Sequence, residues 1–161
     1  MNWKSKLLTL NGASDPLGRY QLRQHLFPPA TKEAMASAED ALNTRFPFSL
    51  RSLLLETDGV MQTMAVKEGE WFDESWTVWP VHEIVEQNRW HREHYADRRL
   101  SRFLFFSPAG ADGIMFGFPA ADEPQSDLPV FAWYPDETDD KLLSNGLEQF
   151  LTGWRHGDIC V

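Results

Sequence analysis

Apolar positions along the chain change their rhythm twice, and the changes mark out its elements. Met35, Ala38 and Leu42 recur at helical spacing while Lys32, Glu33, Glu39 and Asp40 cover the other faces, which predicts a helix opening at Pro28-Pro29. Phe46-Pro47-Phe48 interrupts it, because proline disfavours a helical conformation in the residue before it. A second helix is predicted from Ser49, as N-cap, through Leu50, Leu53, Leu54 and Leu55, stopping where Gly59 can take a left-handed conformation. Upstream, Trp3, Leu7, Leu8 and Leu10 form an amphipathic opening segment, and Asn11-Gly12 and Asp15-Pro16 mark turns.

Beyond Gly59 the pattern becomes extended. Met61 to Val66 and Trp71 to Trp79 are rich in residues suited to a half-buried pleated surface and predict a hairpin about the Lys67-Glu68-Gly69-Glu70 turn. Pro80 then opens a helix carrying Val81, Ile84, Val85 and Asn88, which decays in the charged stretch up to Arg102. Phe103 to Phe106, Ile114 to Phe118 and Val130 to Tyr134 are strands, and Pro119 to Pro129 is a surface loop. A last helix begins near Ser144-Asn145 and aligns Leu147, Phe150, Leu151 and Trp154 on one face. Helices first, strands in the middle and a closing helix predict an α+β fold with a mixed or largely antiparallel sheet and surrounding helices.

Composition narrows the class. At 161 residues, with 42% hydrophobic and 13% aromatic side chains, the chain suits one domain over 1–161 and excludes a disordered polymer. Met1 to Asp15 carries two Lys but no long apolar run or small-residue cleavage site, so no signal peptide is expected. No stretch approaches a membrane span, and a lone Cys160 suits a reducing interior. The expected home is the cytoplasm.

Charge points to the kind of partner. The net charge is -9, and from Ala120 to Val161 nine acids face only Lys141 and Arg155. A second acidic window, Glu56 to Glu74, holds six acids and one Lys. Such surfaces disfavour direct nucleic-acid binding and suit a basic protein. The expected partner-binding residues are Asp136, Glu137, Asp139 and Asp140, aided by Glu68, Glu70, Asp73 and Glu74 if folding brings the two segments together.

Motifs with chemical potential have simpler readings. His91 and His94 are spaced to share a metal on a helix, with His82 and His25 as distant additions, yet Arg92 opposes a cation and no third-ligand motif is visible. Gly110-Ala111-Asp112-Gly113 lacks the Gly-Lys-Ser/Thr ending of a P-loop and reads as a turn. Cys160 has no activating neighbour, and Ser107 lies in Phe-Ser-Pro rather than a nucleophile elbow. The acids from Asp136 to Asp140 do not match EF-hand spacing. No catalytic residue, metal or cofactor is expected.

Taken in order, Glu39 to Leu42 with Arg45-Phe46-Pro47, Leu53-Leu54 to Asp58-Gly59, Trp79 to Asn88, Gly110 to Phe116, Pro129 to Trp133 and Leu147 to Trp154 resemble the SMI1/KNR4 family of the SUKH superfamily. The resemblance covers roughly residues 30 to 155, leaving 1–29 as an N-terminal extension packed on or beside the domain. Family members typically carry Leu-Pro at Phe46-Pro47 and Asn-Gly at Asp58-Gly59, and both changes keep the helix break and the helix stop. The resemblance implies an α+β, non-enzymatic protein-binding domain. It implies an immunity protein that neutralises a cognate bacterial polymorphic toxin, often a nuclease, with an intracellular scaffold or regulatory module as the alternative.

Overall fold

A computed structural model describes residues 2–13, 20–65, 70–110 and 112–161. The opening segment folds as helix α1 (Trp3–Thr9), whose start is capped by the Asn2 side chain accepting from the Ser5 N–H at 3.0 Å. Trp3 and Leu7 turn into the core. The Glu56 carboxylate accepts the N–H groups of Trp3 and Lys4, both at 3.0 Å, and the Trp3 indole donates to Ser52 Oγ at 2.7 Å. Burial tends to raise the Glu56 pKa, but those two N–H donors outweigh it and leave it below its ordinary value.

Helix α2 (Lys32–Leu42) starts later than the Pro-Pro pair implied, because Thr31 is its N-cap and accepts from the Ala34 N–H at 3.0 Å. The residues before it are committed elsewhere: the Ala30 N–H donates to the Leu54 carbonyl and the Pro28 carbonyl accepts from Asp58, both at 2.9 Å. Helix α3 (Phe48–Leu54) is entered from Pro47, not capped by Ser49 as expected. It also ends before Gly59, whose positive φ of 96° serves instead the entry to the next strand.

Among the described residues all strand pairings are antiparallel, so of the expected mixed or largely antiparallel sheet the antiparallel form is the one found. The N-terminal sheet runs β1 (Gly12–Ala13), β2 (Gln21–Leu26), β3 (Val60–Ala65) and β4 (Trp71–Val78) in that spatial order. The predicted β3–β4 hairpin forms, with Ala65 opposite Trp71; residues 67–69 of its turn and the Asp15-Pro16 turn lie outside the described residues. Strand β2 was not expected. It buries Leu22 and Gln24 on alternate positions, and the polar Gln24 hides the alternation.

Helix α4 (Val81–His94) follows Pro80 as expected, then a 3₁₀ turn (Arg98–Arg102) leads into the second sheet. That sheet is β5 (Phe103–Pro108), β6 (Met115–Pro119), β7 (Val130–Trp133) and β8 (Lys141–Ser144), in spatial order, and helix α5 (Leu147–His156) closes the fold. The two sheets are joined by the Trp79 N–H donating to the Phe106 carbonyl at 2.8 Å. The core runs through both, with Trp3, Phe46, Phe106, Phe116, Trp133 and Phe150 almost fully buried. On α5, the Arg155 guanidinium donates to the carbonyls of Leu10 at 2.6 Å and Gly12 at 3.2 Å. The Pro119–Pro129 loop packs back through Arg45 and Phe48 N–H groups to the carbonyls of Ala121 and Gln125.

Candidate partner-binding face

The charged stretch after α4 organises a surface around one guanidinium. The Asp97 carboxylate caps the 3₁₀ turn by accepting the Arg99 N–H at 2.8 Å. Arg99 folds back on it, with Nε at 2.9 Å and Nη2 at 2.7 Å from Asp97 Oδ2. The same side chain reaches across to the β7–β8 connection: Nη1 donates to Asp140 Oδ1 at 3.2 Å, and Nη2 to the carbonyls of Tyr134 at 3.2 Å and Glu137 at 2.5 Å. The Trp133 indole donates to Asp97 Oδ2 at 2.9 Å. Arginine suits this place because its donors lie in a fixed planar fork and stay charged.

The electrostatics follow from these contacts. Hydrogen bonding to Arg99 pulls the Asp97 pKa down from its ordinary 3.8 to about 2, and Asp97 in turn raises that of Arg99. Asp140 moves the other way. Its burial pushes the carboxyl up, against the opposing pull of Arg99 and Arg102.

The backbone from Tyr134 to Asp140 is therefore pinned from within while Asp136, Glu137, Thr138 and Asp139 project outward, all exposed. Asp140 is different from its neighbours: its side chain is only 11% exposed. Of the second group, Glu70, Asp73 and Glu74 are exposed on or beside β4, and Glu74 accepts from the Gln62 amide. Glu68 lies outside the described residues. The two acidic segments belong to different sheets, and no hydrogen bond or ion pair among the described residues joins them.

The His pair does other work. His91 and His94 each donate an Nδ1–H to the carbonyl four residues back, Gln87 and Trp90, at 2.8 Å. His94 stacks on Trp90 with centroids 4.5 Å apart, while His91 stacks on Tyr95 at 5.6 Å. Burial holds the His91 pKa below its ordinary value. No group of three or more His, Cys, Asp or Glu that could hold a metal occurs among the described residues. The Gly110 to Gly113 segment, with Ala111 outside the described residues, is a turn closed by the Ala109 N–H on the Ile114 carbonyl at 2.9 Å. Cys160 is exposed, and Ser107 is buried with its hydroxyl donating to the Pro108 carbonyl at 3.2 Å.

The sequence motifs hold the scaffold that carries this face. Buried Glu39 accepts the Phe46 N–H at 2.9 Å and pairs with Arg51 at 2.7 Å, fixing the break between α2 and α3. The Asp58 carboxylate accepts the Val81 N–H at 2.8 Å and so caps α4 from outside; an Asn oxygen can do the same. Gly59 beside it has no room for a side chain, since a Cβ would meet Pro80 N at 3.0 Å. Asp97 and Arg99 were missed by sequence reasoning, which took their stretch as a fading helix. Their signal was an Asp two residues before an Arg, a short capping pattern easily lost among charges.

Comparison with known families agrees with these motifs. A family model described as SMI1 / KNR4 family (SUKH-1) matches residues 29–153. No curated protein matches the chain significantly.

Proposed function

Because the chain belongs to the SMI1/KNR4 family (SUKH-1), we propose that it is an immunity protein that binds and neutralises a cognate toxin domain with a basic surface. The family is known for immunity-protein-like domains, and its domains are generally non-enzymatic. The observation that carries the reading is the acidic turn from Asp136 to Asp139, exposed on a backbone held by Arg99. A rigid charged surface loses little conformational freedom when a partner docks, so more of the contact energy appears as affinity. Complementary charge also speeds encounter, to roughly 10⁸–10⁹ M⁻¹s⁻¹ at low salt. Glu70 beside β4 and Asp73 and Glu74 on it offer a second contact strip for a large partner. Glu68 completes that set in sequence. The protein would act where the toxin arrives, in the cytoplasm; no helix among the described residues is long and apolar enough to cross a membrane.

The test is co-expression with toxin-like products of adjacent genes, scoring survival and complex formation. Protection with a salt-sensitive complex is the expected result. Failure of every such neighbour to bind or to be neutralised would remove the reading, and capture of a signalling or cell-wall protein instead would establish a scaffold role.

A further inference from the structure

The acidic turn overhangs an uncovered part of the second sheet. Antiparallel partners point to the same face, so the register Phe105–Gly117–Phe131–Leu142 lays one row across β5, β6, β7 and β8. At one end of the row Phe105 is buried. At the other end the cover stops: Phe131 is half-buried and Leu142 is 55% exposed. Beside them opens a groove of about 420 Å³ with Phe103, Pro119 and Phe131 among its apolar walls and Arg102, Asp139 and Asp140 at its polar rim.

The charges around the groove are unevenly spent. Arg99 is engaged by Asp97 and Asp140. Lys141, one residue before Leu142, points to the opposite face and donates to the Cys160 carbonyl at 2.9 Å. No ion pair among the described residues reaches Asp136, Glu137 or Asp139; of these Asp139 lines the groove with Arg102, and Asp136 and Glu137 are exposed on the same turn. A second copy of a chain with net charge -9, or an anionic surface, would be repelled here.

We propose that this groove docks an extended basic segment of a protein partner, an aliphatic or aromatic side chain seating against Phe131 and Leu142 while its flanking Lys or Arg meet Asp136, Glu137 and Asp139. The inference rests on the immunity reading and gives its acidic face an apolar anchor. Steering and anchoring are thus separate: the free carboxylates set the rate of encounter, and the seated apolar side chain sets residence.

The probe is a short labelled peptide alternating Arg and Leu, titrated by fluorescence anisotropy against a matched Glu and Leu peptide. The Arg peptide binds and the Glu peptide does not. Leu142→Ser weakens binding about tenfold, the amount expected from losing one buried aliphatic contact. Neutralising Asp136, Glu137 and Asp139 to Asn, Gln and Asn weakens it further and flattens its salt dependence. Leu8→Ser, at a residue 50% exposed on α1, changes nothing. Equal binding of both peptides, or no effect of Leu142→Ser and of the triple variant, overturns the groove. If a protective toxin complex forms but ignores both variants, the groove fails and the immunity reading stands. If no neighbouring toxin binds, that reading falls, while the peptide titration still decides the groove.

Discussion

The Asn88 side chain occupies the edge of Phe105 as a neighbouring strand would, donating to its carbonyl at 2.7 Å and accepting from its N–H at 3.0 Å. The same amide nitrogen donates to the Ile84 carbonyl at 2.8 Å. Asn88 is fully buried, so the edge of β5 is satisfied at Phe105 by a side chain rather than by a strand. Helix α4 is thereby fixed against the sheet that carries the acidic turn.

Asn88→Ala leaves the Phe105 N–H and carbonyl buried without partners. Each such group costs about 1–3 kcal/mol, so a loss of about 2–6 kcal/mol is expected. Urea unfolding should show a lower midpoint at an unchanged slope. A loss below about 1 kcal/mol would mean that water replaces the amide.

Arg99→Lys keeps the charge but cannot span Asp97, Asp140 and two carbonyls at once. Amide exchange from Tyr134 to Asp140 should rise while that of the core strands holds. Association with a basic partner should slow, since the carboxylates are then displayed from a looser turn.

Asp140 should separate from its exposed neighbours. Asn, Gln and Asn at 136, 137 and 139 should change stability by less than about 0.5 kcal/mol. Asp140→Ala leaves Arg99 Nη1 without its carboxylate acceptor and opens a gap at a side chain only 11% exposed, and should cost about 1–2 kcal/mol. Equal thermal shifts for all four would show that Asp140 contributes no more than surface charge.

Two groups predict loss of stability toward acid, in separate pH windows. His91 is held below its ordinary 6.5 by burial, so the unfolded chain takes up a proton first and stability should begin to fall as pH drops through about 6.5. Asp97, near 2 in the fold against 3.8 ordinarily, contributes stability above 3.8 that is lost as pH falls toward 2, on the order of 1 kcal/mol after solvent screening. Unfolding midpoints for His91→Gln should flatten the first decline. An unchanged slope between pH 7 and 5 would show that the imidazole titrates normally.

Legibility of the chain followed how local each cause is. Helices α4 and α5 were readable because their inward stripes, apolar Val81-Ile84 with Asn88 beside them and Leu147-Phe150-Leu151, are written in consecutive turns. The hairpin of β3 and β4 was readable for the same reason, in alternating form. Strand β2 escaped because its inward Gln24 is satisfied by Asn11 Oδ1 on its N–H, a partner set by tertiary structure. Strand β8 escaped because only four residues, opening with Lys141, carry it. The acidic turn was visible as composition, but what pins it was not: Arg99 lies 41 positions from Asp140, and nothing local announces that they meet.

Arg155 holding the carbonyls of Leu10 and Gly12 also constrains the chain while it is being made. The residues it joins are separated by 145 and 143 positions, so although α1 can already hold Ser52 and Glu56, its Arg155 clamp and the cover beside Leu7 cannot form until α5 has left the ribosome. An α1 surface that presents Trp3 and Leu7 during that interval is a target for chaperones. Slowing translation near the end of the message should lengthen chaperone occupancy far more than slowing it near the start.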